Sequence, residues 1–131
     1  MPKFSLRSKE RLATCQPDIR KVCENVIKTY DITILEGHRN KADQEKYFAK
    51  GTSKLHWPKS KHNALPSMAV DMAPYPIDWD NVERFNTMWE VFNAVANQLR
   101  ECGEITAHFE WGGNWKKFKD LPHIEIKETK E

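Results

Sequence analysis

No stretch of the 131-residue chain is apolar over the roughly 20 residues that a membrane-spanning helix needs, so membrane insertion is not expected. Charge of one sign is also scarce. Twenty-one basic residues face 19 acidic ones, and a net charge of +2 lacks the basic footprint of a nucleic-acid binder. There are only three cysteines, Cys15, Cys23 and Cys102, and no Cys-x-x-Cys pair. That count and spacing argue against a disulfide framework and against a thiolate metal site, and leave small buried hydrophobes in a reducing compartment. The segment from Met1 to Arg7 lacks the apolar core of a signal peptide. The chain is therefore expected to be made and kept in the cytoplasm until something else releases it. With 39% hydrophobic and 31% charged residues, one globular domain over residues 1–131 is expected, as a monomer.

The chemistry-bearing stretch that is present runs from Ser60 to Pro74. His62 is followed by turn residues, Leu65-Pro66-Ser67, and then by an apolar run from Met68 to Ala73 that reads as a buried strand. Asp71 interrupts that run. A carboxylate in such a place is costly unless paired, and a metal ion is one such partner. A second ligand candidate, His123, lies in Asp120-Leu121-Pro122-His123-Ile124-Glu125-Ile126. A strand beginning near Pro122 puts His123 and Glu125 on one side and Ile124 and Ile126 on the other. Glu125 is then either a support behind a ligand or an exposed strand residue. Two histidines and one carboxylate suit a catalytic zinc site with its fourth position open to water.

The remaining elements read as scaffold. Ser8 is expected to cap a short helix through Ala13, and Pro17 to open a second that Asp31 ends, with Ile19, Val22, Cys23, Val26, Ile27 and Tyr30 on its core face. Ile32 to Leu35 reads as a strand. Asn40 caps a helix from Lys41 to about Lys50, which leaves Arg39 at a strand-to-helix junction, either in a cleft or on the surface. Gln44 on that helix is a substrate contact or plain helix surface. Gly51 to Lys59 is a loop. Lys50, Lys54, Lys59 and Lys61 attract an anionic polymer or are simply solvated, and His56-Trp57-Pro58 offers an aromatic rim. Asp80 with Glu83 reads as a capping box for the longest helix, whose core face is Val82, Phe85, Trp89, Phe92, Val95, Ala96 and Leu99 and which Gly103 ends. Ile105 to Trp111 reads as a strand, followed by a Gly112-Gly113 turn. His108 and Glu110 share one face of it, as a second metal pair or as surface or supporting polar residues.

Taken in order, Gly37-His38-Arg39, Ser60-Lys61-His62, Ala69-Val70-Asp71, Trp111 to Trp115 and Asp120 to Glu125 resemble the zinc peptidases related to D-alanyl-D-alanine peptidases. Within that group the chain is most similar to phage L-alanyl-D-glutamate endopeptidases, which cut the stem peptide of peptidoglycan. The gap from His62 to Asp71 is longer than in the shortest members. The resemblance implies an α+β fold of the Hedgehog/DD-peptidase type, with a small, mainly antiparallel sheet, helices on one face and a zinc cleft on the other. It implies Zn2+ on His62, Asp71 and His123, Asp120 as general base, and Arg39 on the substrate or the developing oxyanion. Gln44 and Ser60 become candidate substrate contacts. The implied function is hydrolysis of peptidoglycan stem peptides by a phage or prophage endolysin that reaches the cell wall after a holin opens the membrane. Two alternatives are a D-alanyl-D-alanine carboxypeptidase and a non-catalytic binding domain that keeps the fold.

Overall fold

The computed structural model describes residues 2–127; Met1 and residues 128–131 of the expected domain lie outside the described residues. Four helices and four strands are found among the described residues. They are α1 (Leu6–Leu12), α2 (Pro17–Val26), β1 (Ile32–Glu36), α3 (Lys41–Ala49), β2 (Ala69–Pro74), α4 (Val82–Glu101), β3 (His108–Trp111) and β4 (His123–Lys127). Single 3-10 turns occur at Lys61–Asn63 and Gly112–Asn114. The strands form one antiparallel sheet in the order β1-β2-β4-β3, the α+β architecture expected. No helix among the described residues is long and apolar enough to cross a membrane.

The core lies between the sheet and the α2–α4 pair. Val70 and Met72 of β2 and Ile124 and Ile126 of β4 join Ile19, Val22, Cys23 and Val26 of α2 and Phe85, Met88, Phe92, Ala96 and Leu99 of α4 in one apolar cluster. Burying a side chain of this size contributes about 1.5–3 kcal/mol. Residues that alternate with these on β2 and β4 turn to the opposite face, where the register sets Asp71 beside His123 and Ala69 beside Glu125. A bulge in β1 between Ile34 and Glu36 brings Glu36 opposite Asp71 on the other side. Three polar residues from three strands thus form one row.

Several boundaries differ from expectation for physical reasons. Ser5, not Ser8, caps α1. Ser8 is buried, and its hydroxyl pairs with Thr33 and accepts the Ile34 N–H at 3.0 Å, filling a backbone position that the edge strand β1 leaves free. Helix α2 stops at Val26, where the N–H groups of Lys28 and Thr29 bond three residues back, to the Asn25 and Val26 carbonyls, instead of four. Asn81, not Asp80, caps α4, and Val82 is exposed while Met88 lies in the core. Met88 stands three residues after Phe85 and four before Phe92, on the centre of the buried stripe. Strand β3 begins only at His108, since the N–H groups of Thr106 and Ala107 donate to Asp18 Oδ2 at 3.1 and 3.0 Å rather than to a neighbouring strand. Cys15 and Cys23 are buried free thiols, but Cys102, at the end of α4, is exposed.

Candidate active site

His62 sits in the 3-10 turn that follows the loop of residues 51–59. Ser60 caps that turn. Its hydroxyl accepts the His62 N–H at 3.3 Å, and its own N–H donates to Asn63 Oδ1 at 3.0 Å. The His62 ring is buried, with Nδ1 2.8 Å from the Gly37 carbonyl oxygen. That acceptor keeps the proton on Nδ1 and leaves Nε2 with a bare lone pair. Gly37 is needed here, because a Cβ on it would overlap the Arg11 carbonyl and the Thr14 hydroxyl. His123 mirrors the arrangement. Its Nε2 lies 2.8 Å from Glu125 Oε1, which leaves Nδ1 free. Glu125 in turn pairs through Oε2 with Lys61 Nζ at 2.8 Å, and Lys61 donates to the Ile126 carbonyl.

The two free imidazole nitrogens meet Asp71 Oδ1. His62 Nε2 and His123 Nδ1 each lie 3.2 Å from it and 3.3 Å from each other. With the outer nitrogens protonated, three lone pairs converge on one point and repel unless a cation lies between them. A tetrahedral ion with bonds of about 2.0–2.1 Å spaces its ligand atoms about 3.3–3.4 Å apart, so the group fits such an ion. These three residues could hold a metal ion. They supply three ligands, and the fourth direction faces a cavity of about 530 Å3 lined by His62, His123, Arg39 and Asp120.

The charges around the group answer one another. Burial works to raise Asp71, but His62 and His123 outweigh it and hold its carboxyl far below the usual carboxylate range. Burial works to lower His123, yet Asp71 and Glu125 push it up to about 9. Glu125 is held low against its own burial by His123 and Lys61. Asp120 goes the other way: burial raises it, the Asp71 charge adds to the effect, and His123, His62 and Arg39 only partly oppose it. Asp120 lies at the end of the loop after Gly112, tied by its N–H to the Gly112 carbonyl at 3.1 Å. Among the described residues its carboxyl makes no hydrogen bond.

Arg39 lines the same cavity and is fixed from behind. Its Nε donates to Glu36 Oε1 at 2.6 Å, its Nη1 to Gln44 Oε1 at 3.0 Å, and its plane lies over the Tyr47 ring at 4.5 Å. Nη2, also paired with Glu36, stands 3.8 Å from Asp71 Oδ2. Gln44 is not helix surface, because its side chain is fully buried. Its carbonyl accepts from Arg39 and from Asn63 Nδ2, and its amide donates to Ser53 Oγ and the Leu55 carbonyl. Ser60 lines the cavity, with its hydroxyl engaged in the cap.

His108 and Glu110 stay outside the His62–Asp71–His123 group. The His56-Trp57 pair does not form the rim: His56 stacks on Phe48 and pairs with Glu45, and the aromatic lining comes from Trp115 and Phe118. Trp115 packs against His123, and Phe118, in the left-handed region at φ 55°, carries Lys54 over its ring. Sequence reasoning missed Glu36, Asn63, Phe118 and Lys119 as parts of the site and used Trp115 only as part of a family motif. Of the four, Glu36 gave a signal, a carboxylate three residues before the arginine.

An α+β fold with an open His–Asp–His group, flanked by a carboxylate of raised pKa and a clamped arginine, defines a class of candidate metal-dependent enzyme. The model of the phage L-alanyl-D-glutamate peptidase family matches residues 1–130, and the chain belongs to that family. It is 37% identical over 131 residues to the L-alanyl-D-glutamate peptidase of Escherichia phage T5, covering 95% of this chain and 89% of that protein. It is 34% identical to the Bacillus subtilis peptidoglycan L-alanyl-D-glutamate endopeptidase CwlK, covering 76% of this chain and 62% of CwlK. The crystal structure of the Serratia marcescens L-Ala D-Glu endopeptidase ChiX superposes with a TM-score of 0.76 at 27% identity, covering 95% of this chain and 90% of that one.

Proposed function

We propose that the chain is a zinc-dependent endopeptidase that hydrolyses the L-alanyl-D-glutamate bond of peptidoglycan stem peptides and serves as a phage or prophage endolysin. The observation that carries this reading is the pair of outward-tied imidazoles, which leaves His62 Nε2, His123 Nδ1 and Asp71 Oδ1 turned toward a single point at the cavity floor. Zinc held there would supply a water acidic enough to attack at neutral pH and would polarise the scissile carbonyl. Asp120, with its pKa raised, would take the proton of the attacking water and return it to the leaving glutamyl nitrogen. Arg39, aimed by Glu36 and Gln44, would meet the oxyanion from the other side. The family and the relatives named above support the choice of bond. The protein would work as a monomer, reaching the wall once the membrane has been opened.

Mass analysis of digested peptidoglycan tests the reading. The expected products carry a new D-glutamyl amino terminus and a new L-alanyl carboxyl terminus, disappear on chelation and return with zinc. Release of free D-alanine would instead identify a carboxypeptidase, and wall binding without any cleavage would identify a binding domain.

A further inference from the structure

The cavity above the metal-binding group is more cationic than the chain as a whole. Arg39, Lys54, Lys59, Lys61 and Lys119 line it against two carboxylates, Asp120 and Glu125, while the entire chain carries a net charge of only +2. Two of these cations are already engaged, Arg39 with Glu36 and Lys61 with Glu125. Lys54 lies over the Phe118 ring, a contact between two lining segments. Lys59 and Lys119 remain, and among the described residues neither lies within 4.0 Å of a carboxylate. They come from two separate segments of the lining. Lys59 immediately precedes the capped turn that carries His62, and Lys119 immediately precedes Asp120. Uncompensated lysines from two segments that line one cavity suit an anionic group of the substrate.

The substrate proposed above carries such a group. D-Glutamate has two carboxyls and needs only one of them to continue the peptide, so the other is free and stands on the side of the leaving nitrogen. We propose that Lys59 and Lys119 form a subsite for this free glutamyl carboxylate, so that the enzyme distinguishes D-glutamyl from carboxamide-bearing substrates. The inference rests on the L-alanyl-D-glutamate reading and adds a specificity to it.

Three soluble peptides test it with the zinc-loaded protein. One contains acetyl-L-alanyl-D-glutamyl with the second carboxyl free, one has that carboxyl as a carboxamide, and one has the carboxamide together with an extra carboxylate at the distant amino-terminal end. Wild type is expected to cut the first with kcat/KM about tenfold or more above the other two, the worth of roughly one charge-assisted hydrogen bond. In Lys59→Met with Lys119→Met the ratio of acid to amide should fall toward one, and the two Arg substitutions should restore it. A lysine that only supports the fold would lower both rates and leave their ratio. Equal rates on the first two peptides by wild type overturn the subsite, and so does a third peptide cut as well as the first, which would mark general charge attraction. An unchanged ratio in the Met variant overturns the assignment to these lysines. If wild type cuts none of the three but digests peptidoglycan at another bond, the function reading itself fails and the subsite falls with it.

Discussion

At the scale of single residues, the site is a set of protons with fixed addresses. Gly37 and Glu125 decide which imidazole nitrogens carry hydrogen, and so which ones present lone pairs to a metal. Asp120 differs from Asp71 in having a raised rather than a lowered pKa, which suits a base rather than a ligand. With zinc at the His62–Asp71–His123 group as proposed, Asp120→Asn should keep the metal and the fold while kcat falls by roughly 10²–10⁴. Elemental analysis beside a peptide assay checks this, and loss of the metal would make Asp120 a ligand. The pKa of His123 gives a prediction for the metal-free protein. Its folded value, about 9, lies above the ordinary 6.5, so the stabilisation it contributes is full below pH 6.5 and lost as pH rises through 9. Thermal melts of chelator-treated protein should thus decline between pH 6.5 and 9. The zinc-loaded protein should not share the decline, because the metal takes the place of that proton. Parallel curves would remove His123 from the metal group.

At the scale of elements, short connections do more of the positioning than the long helix does. Gln44 ties α3 to the loop of residues 51–59, to Asn63 and to Arg39 with one amide. Gln44→Met keeps the volume but leaves several buried polar groups without partners, at about 1–3 kcal/mol each. We expect lower stability together with at least a tenfold loss of kcat per folded molecule, at unchanged zinc content, because Arg39 loses its aim. A purely structural role would lower the melting temperature and spare the rate. This network was not legible in the sequence. Its partners are polar residues without periodicity, and a glutamine on a helix reads equally well as surface. By contrast, Asp71 within its apolar run, and the alternation of His123 and Glu125 with Ile124 and Ile126, were readable because a strand sorts its faces by a period of two. The caps were less so. Ser5 and Ser8, or Asp80 and Asn81, are equally good candidates by type, and the choice depended on tertiary partners such as the Ile34 N–H.

At the scale of the whole molecule, the sheet separates stability from chemistry. The α2–α4 core covers one face, and the row of Glu36, Asp71 and His123 occupies the other. Phe92→Ala should therefore cost about 3–5 kcal/mol of folding free energy. It should leave kcat per folded molecule near the wild-type value at low temperature, as denaturant titration and a peptide assay can establish. A large drop in kcat would mean that the sheet passes strain from one face to the other. The ion pair of Lys61 with Glu125 has a different reach. Lys61 adjoins His62 in the chain and Glu125 lies two residues from His123, so one contact joins two segments that are otherwise far apart in sequence. Losing the lysine alone leaves a half-buried carboxylate without its cation beside the metal group, and losing the glutamate alone leaves the cation there instead. Either half-step is costlier than exchanging both, so in the descent of this chain these two positions are expected to change together.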